Sequence, residues 1–237
     1  MTPRTLYLLL RPTARATRWV PVAVGAAVGL AIVLVPEALT TKLTGAQLTD
    51  LLRIAATCLA LGAAFLLDDP ATRSTPAVPT SRLARNLVRV LIALPAMALC
   101  WAVTLGLARA TARHPAAGID PAGQHLPGAA LTLEAATLVA AAVALAAATA
   151  RFNSDGNTGV FTAPAVLLLV AVSWFLPHRW AIVVPPGDPQ WTSAHHRWAA
   201  LLAVALMAFL WASHEGTGRP ARRSLPATRP ARAGSRR

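Results

Sequence analysis

The residues able to carry chemistry in this chain are few and scattered. Asp50 and Arg53 stand three apart at the head of an apolar run, where a helix would bring them onto one face as an ion pair. Glu134 enters another apolar run near its start, where a carboxylate complements the positive end of a helix. Both positions fall near a membrane boundary, so interfacial anchoring is the expectation and a proton or ion pathway the alternative. His178, His195 and His196 form a loose histidine group, but adjacent histidines alone are no ligand set, and no metal site is expected. The two cysteines, Cys58 and Cys100, both sit inside apolar runs and read as free thiols acting as small hydrophobes. There is no GxxxxGK[ST] phosphate loop, no HExxH and no GxSxG elbow. An enzyme is therefore not expected, nor is a bound cofactor.

The elements that would position these residues are membrane helices. Of 237 residues, 55% are hydrophobic and only 13% charged, against about 25% charged in soluble domains. Six runs approach the roughly 20 residues that cross a bilayer. They are Trp19 to Val35, about Leu48 to Leu67, Leu87 to about Leu107, Ala129 to Ala150, Val160 to Leu176 and Trp198 to Ala212, the last completed by its flanks. The expected fold is all-α, a polytopic membrane protein of six transmembrane helices. A basic segment (1–18) precedes the six-helix domain (19–213), and a basic, Pro- and Gly-rich tail (214–237) follows that cannot bury enough surface to order itself.

Lys and Arg, 22 against 9 Asp and Glu, set the orientation. With an inside N-terminus, sixteen of the 22 lie on the cytoplasmic side, seven of them in the tail, and six lie outside. Both termini are then cytoplasmic, in a multi-pass protein of a bacterial inner membrane. The basic residues lie between and beyond the apolar blocks, so nucleic acid is not an expected partner and the lipid bilayer is.

Small residues mark where such helices pack, because lipid offers little hydrophobic drive for their association. Gly25 and Gly29 form a GxxxG pair, and the fourth run is nearly all alanine from Ala135 to Ala150. Two connections carry further information. Between the second and third runs, Asp68 and Asp69 oppose the dipole of the helix they end, but Asp69 can cap a short new helix with Pro70 at its first position. Pro76 and Pro79 stop that helix, and Ser81 can cap the next. Between the fifth and sixth runs, Trp180 to Val184 (WAIVV) is too short to span and too apolar to lie in water, which predicts a re-entrant or interfacial segment at an aromatic belt.

Six spans, a structured cytoplasmic elbow after the second and a short outer element before the sixth together resemble the membrane subunits of type-2 ABC exporters. The stretch DDPATRSTPAVPTSRLARNLVRV looks like actinobacterial permeases of that kind. The resemblance implies that the elbow docks on a separate ATP-binding subunit, through Asp68, Asp69, Pro70, Thr72, Arg73 and Ser74. It also implies a second membrane subunit, identical or not, with the substrate pathway between the two. A different class, a non-transporting scaffold or assembly subunit of a larger membrane complex, is the alternative.

Overall fold

The computed structural model describes residues 17–39, 43–68, 81–112, 126–152 and 157–214. Among these residues there are six α-helices and no strand: α1 (Trp19–Ala38), α2 (Gly45–Ala63), α3 (Arg82–Ala112), α4 (Gly128–Phe152), α5 (Gly159–Trp174) and α6 (Trp191–Ser213). Five are long and apolar enough to cross a membrane, and α5 is apolar but shorter, at 16 residues. At 1.5 Å per residue α5 spans about 24 Å, less than a hydrocarbon core of about 30 Å.

Local chemistry sets the helix ends. Thr44 and Gln47 form a reciprocal capping box that starts α2. Ser81 accepts a hydrogen bond from the Ala84 N–H at 3.2 Å and starts α3, so that helix begins five residues before its apolar run and reaches 31 residues. Helix α6 begins at Trp191, seven residues ahead of its apolar run, because the histidine-bearing flank is helical too. Pro36, Pro95 and Pro164 all lie inside helices.

The helices run up and down. At one end the start of α1 meets the end of α2 and the start of α5 through Arg18, Asp68 and Gly159. At the same end Asn86 of α3 donates to Ser213 of α6 at 3.1 Å. Arg151 of α4 donates to the Trp211 carbonyl at 2.8 Å and stacks on the Trp211 ring, 4.5 Å from its centroid. Arg18, Arg82, Arg85, Arg89 and Arg151 therefore share one end, which we call the basic end, and both described limits of the chain lie there. The starts of α2, α4 and α6 share the far end.

Helices α2 and α4 form the centre, with about half of each apolar window buried, against 17% for α1 and 28% for α3. The alanine-rich face of α4 lies inside, with Ala135, Ala142, Ala146 and Ala147 buried. Gly25 and Gly29 face α2. A Cβ on Gly25 would collide with the Cys58 carbonyl oxygen, and one on Gly29 would stand 3.0 Å from that of Ala55. Across the same seam a Cβ on Gly62 would meet the Pro21 oxygen at 2.8 Å. Outward faces are apolar, with Val24 and Val28 on α1, Leu168 and Val172 on α5, and Val204 and Met207 on α6 all exposed. Such an exterior fits a multi-pass membrane protein.

Candidate functional site

The far end holds a buried charge cluster built from three helices and one irregular segment. Arg53, in the third turn of α2, is 8% exposed and Glu134 of α4 is 2% exposed. The guanidinium grips the carboxylate with two bonds, Nε to Oε2 at 2.9 Å and Nη2 to Oε1 at 3.1 Å. Such a fork uses the planar fit of the two groups, which a lysine could not reproduce. Nη1 reaches Asp50, one turn earlier, at 3.4 Å. His195 of α6 places Nε2 3.2 Å from Glu134 Oε1. Glu134 is the seventh residue of α4, beyond its first turn, so it is balanced chiefly by Arg53 and not by the helix end.

The segment between α5 and α6 closes this cluster. It leaves α5 through a single 3-10 turn, His178–Trp180, and then runs without helix, with Ala181, Ile182 and Val184 buried. Buried main-chain carbonyls need donors, and non-helical backbone at membrane depth is tolerated only where protein supplies them. Arg53 Nη2 donates to the Val184 oxygen at 2.8 Å, Trp198 Nε1 to that of Ile182 at 2.8 Å, and Arg197 Nη1 to that of Ala181 at 2.6 Å. The chain then turns back through Pro185 to Asp188, where Gly187 has φ +90°, a conformation that suits glycine in the third position of a type II turn. The apolar WAIVV segment thus lies against the bundle, tied by side chains of α2 and α6.

Beside the cluster is a cavity of about 130 Å³, lined by Arg53, Glu134, Ser173 and the indoles of Trp101, Trp174 and Trp198. A second cleft, of about 510 Å³, opens between α3 and the α4–α6 pair and is almost wholly apolar, with Leu94, Met97, Val143 and Leu206 among its walls. Trp101 and Thr132, both in its wall, are joined by a hydrogen bond of 3.1 Å.

At the basic end, Asp68 is 2% exposed. Its Oδ1 accepts from Thr158 Oγ1 at 2.6 Å and from the Gly159 N–H at 2.8 Å, and Arg18 lies 3.6 Å from Oδ2. The carboxylate that opposes the dipole of α2 therefore neutralises the start of α5, a helix almost a hundred residues later. Asp69, Pro70, Thr72, Arg73 and Ser74 lie outside the described residues.

Of the histidine group, only His195 joins the cluster. His178 is exposed and pairs with Gln190 and Asp188. No group of three or more His, Cys, Asp or Glu that could hold a metal occurs among the described residues. Cys58 and Cys100 are free and partly buried. The Arg53–Glu134 link went unread in the sequence. Its only signal was an arginine and a glutamate each set within an otherwise apolar run.

No family model matches the chain, and neither the curated proteins nor the solved structures compared with it give a match.

Proposed function

We propose that the protein is the membrane subunit of an ATP-driven transporter, coupled to a separate ATP-binding subunit through the α2–α3 connection. In this reading all six helices cross a bacterial cell membrane, with the basic end and both termini in the cytoplasm. The observation that carries the reading is how the connection is anchored. It leaves α2 at Asp68, which is locked to α5 and faces α1, and it enters α3 at the Ser81 cap. A push on this connection would reach four helices at once. Asp68 then serves as the internal anchor, and docking falls to Asp69, Pro70, Thr72, Arg73 and Ser74.

Two subunits, alike or different, would enclose the pathway, and rigid-body motion of packed bundles would alternate its access. The chain would supply no ATP hydrolysis of its own. Purification from native membranes in mild detergent tests the proposal, which expects a P-loop ATPase in stoichiometric amount. Recovery of a stable complex without any ATPase would favour a scaffold subunit instead. Replacing Asp69 and Arg73 by alanine should leave insertion intact while uncoupling transport from ATP turnover, and normal coupling in that double variant would remove the elbow from the proposal.

A further inference from the structure

Helix α3 stands off from the α4–α6 pair. It lies mainly against α1 and α2, and the gap it leaves is the apolar cleft of about 510 Å³. The floor of the cleft is buried and reaches the central helix: Leu59 of α2, Met97 of α3, Ala135 and Val143 of α4 and Phe209 of α6 are each no more than 7% exposed. Its rim is open, with Leu94 of α3 and Leu206 and Leu210 of α6 about half exposed. Ala136 and Ala140 of α4 stand in the wall and put little side chain into the space.

Helices α3, α4 and α6 are each long and apolar enough to cross a bilayer, so a rim on their outward side meets hydrocarbon chains and not water. Water would find no polar partner inside, because the Trp101 N–H donates to the Thr132 hydroxyl, which donates to the Gly128 carbonyl. An empty cleft would forfeit the dispersion contacts of its walls. Its shape selects what enters. On α3 the lining runs from Leu87 to Trp101, about 21 Å at 1.5 Å per residue, against about 30 Å for the whole hydrocarbon core. Spread over that length, the volume gives a mean section of about 24 Å². Methylene chains, whose carbons pack about 4 Å apart, fit such a section; a helix, about 10 Å across with its side chains, does not.

Charge at one end selects which amphiphile supplies the chain. The Leu87 limit of the lining lies at the basic end, and Arg82 and Arg85 of the same helix are exposed within two turns of it. Basic residues at a membrane surface favour anionic headgroups. We propose that the cleft binds an anionic phospholipid of the basic-end leaflet, its acyl chain between α3 and the α4–α6 pair and its headgroup at the level of Arg82 and Arg85. The bound chain props α3 away from α4 and α6, so any change in that gap must admit or expel lipid. The site needs a bilayer and no ATPase.

Native mass spectrometry of the full chain tests this, after reconstitution in nanodiscs of equal phosphatidylglycerol and phosphatidylcholine and release into mild detergent. The wild type should retain phosphatidylglycerol in preference to phosphatidylcholine. Ala136→Leu with Ala140→Leu fills the cleft and should lose that lipid. Arg82→Gln with Arg85→Gln should keep a lipid but lower the preference by roughly tenfold or more, as expected for two arginines near the surface. A wild type that retains no lipid, or a leucine variant that retains it as the wild type does, would overturn the site. Equal retention of the two lipids by the wild type would overturn the headgroup assignment. A dimer that the same leucines dissolve, without bound lipid, would give the cleft to a second copy of the chain and overturn the proposal. Should the leucines destabilise the fold, phospholipids brominated near their chain ends read the same cleft. The fluorescence of Trp101, taken as the difference between wild type and Trp101→Phe, should be quenched more by brominated phosphatidylglycerol than by brominated phosphatidylcholine, and equal quenching would overturn the proposal. No ATPase is in the sample, so failure here is separate from failure of the transport reading.

Discussion

Arg53→Met should be among the most damaging single substitutions in the chain. The guanidinium makes two bonds to Glu134, one to the Val184 carbonyl and a longer one to Asp50. Methionine keeps much of the volume and none of the bonds. Glu134 would then be a carboxylate only 2% exposed facing His195 alone, and the Val184 oxygen would lose its side-chain donor. Breaking one partner out of a buried ion pair costs about 3–5 kcal/mol. For a chain of this size each kcal/mol shifts the melting temperature by about 2–4 °C, so a fall of roughly 6–20 °C is expected. Glu134→Leu should cost less, because Arg53 keeps Val184 and the half-exposed Asp50 as partners. The double variant removes both charges and should recover at least about 2 kcal/mol relative to the sum of the singles, since an apolar replacement of a whole buried pair is often neutral. Thermal unfolding in nanodiscs followed by tryptophan fluorescence reads all three, because Trp101, Trp174 and Trp198 line the adjoining cavity. Single variants that melt within about 2 °C of wild type, or strictly additive losses, would refute the assignment of the pair as the centre of the far end.

Gly25→Leu should separate α1 from α2 and cost about 1–3 kcal/mol by overpacking, because even a Cβ there would press on the Cys58 carbonyl. Gly106→Ala, with open space around it, is the matching control and should be neutral or gain up to about 1 kcal/mol. Asp68→Ala removes the acceptor for Thr158 and Gly159 and should lower stability by about 2 kcal/mol, whereas Asp68→Asn, which keeps a carbonyl acceptor, should lose less than half of that. Trp198→Phe leaves the Ile182 oxygen without its indole donor and should cost about 1–3 kcal/mol, read as faster proteolysis between α5 and α6. Reporter groups fused to the two chain ends should respond from the same side of the membrane; a split response would leave α5 as a helix that does not cross.

What could be read from the sequence divides by range. Apolar runs located all six helices, since each is a local property of about twenty residues. Their ends moved where polar residues extend a helix beyond its apolar run, as at Ser81 and Trp191. The Asp50–Arg53 pair was legible because three residues of helix bring the two together. The grip on Glu134 was not, since 81 residues separate the partners and no local rule selects one helix neighbour over another. The same holds for Asp68: its misfit with the dipole of α2 was visible, but the helix it serves starts at Gly159. The WAIVV segment shows the division within one stretch. Its length and apolarity announced a non-spanning element, yet the donors that allow bare carbonyls to be buried come from Arg53, Arg197 and Trp198 on two other helices. Each non-local link answers a local misfit, whether an acid at the wrong helix end, a charge within an apolar run, or a segment too short to span. In a membrane chain an unpaired polar group finds no water at depth, so every such misfit in the sequence points to a partner elsewhere in the fold.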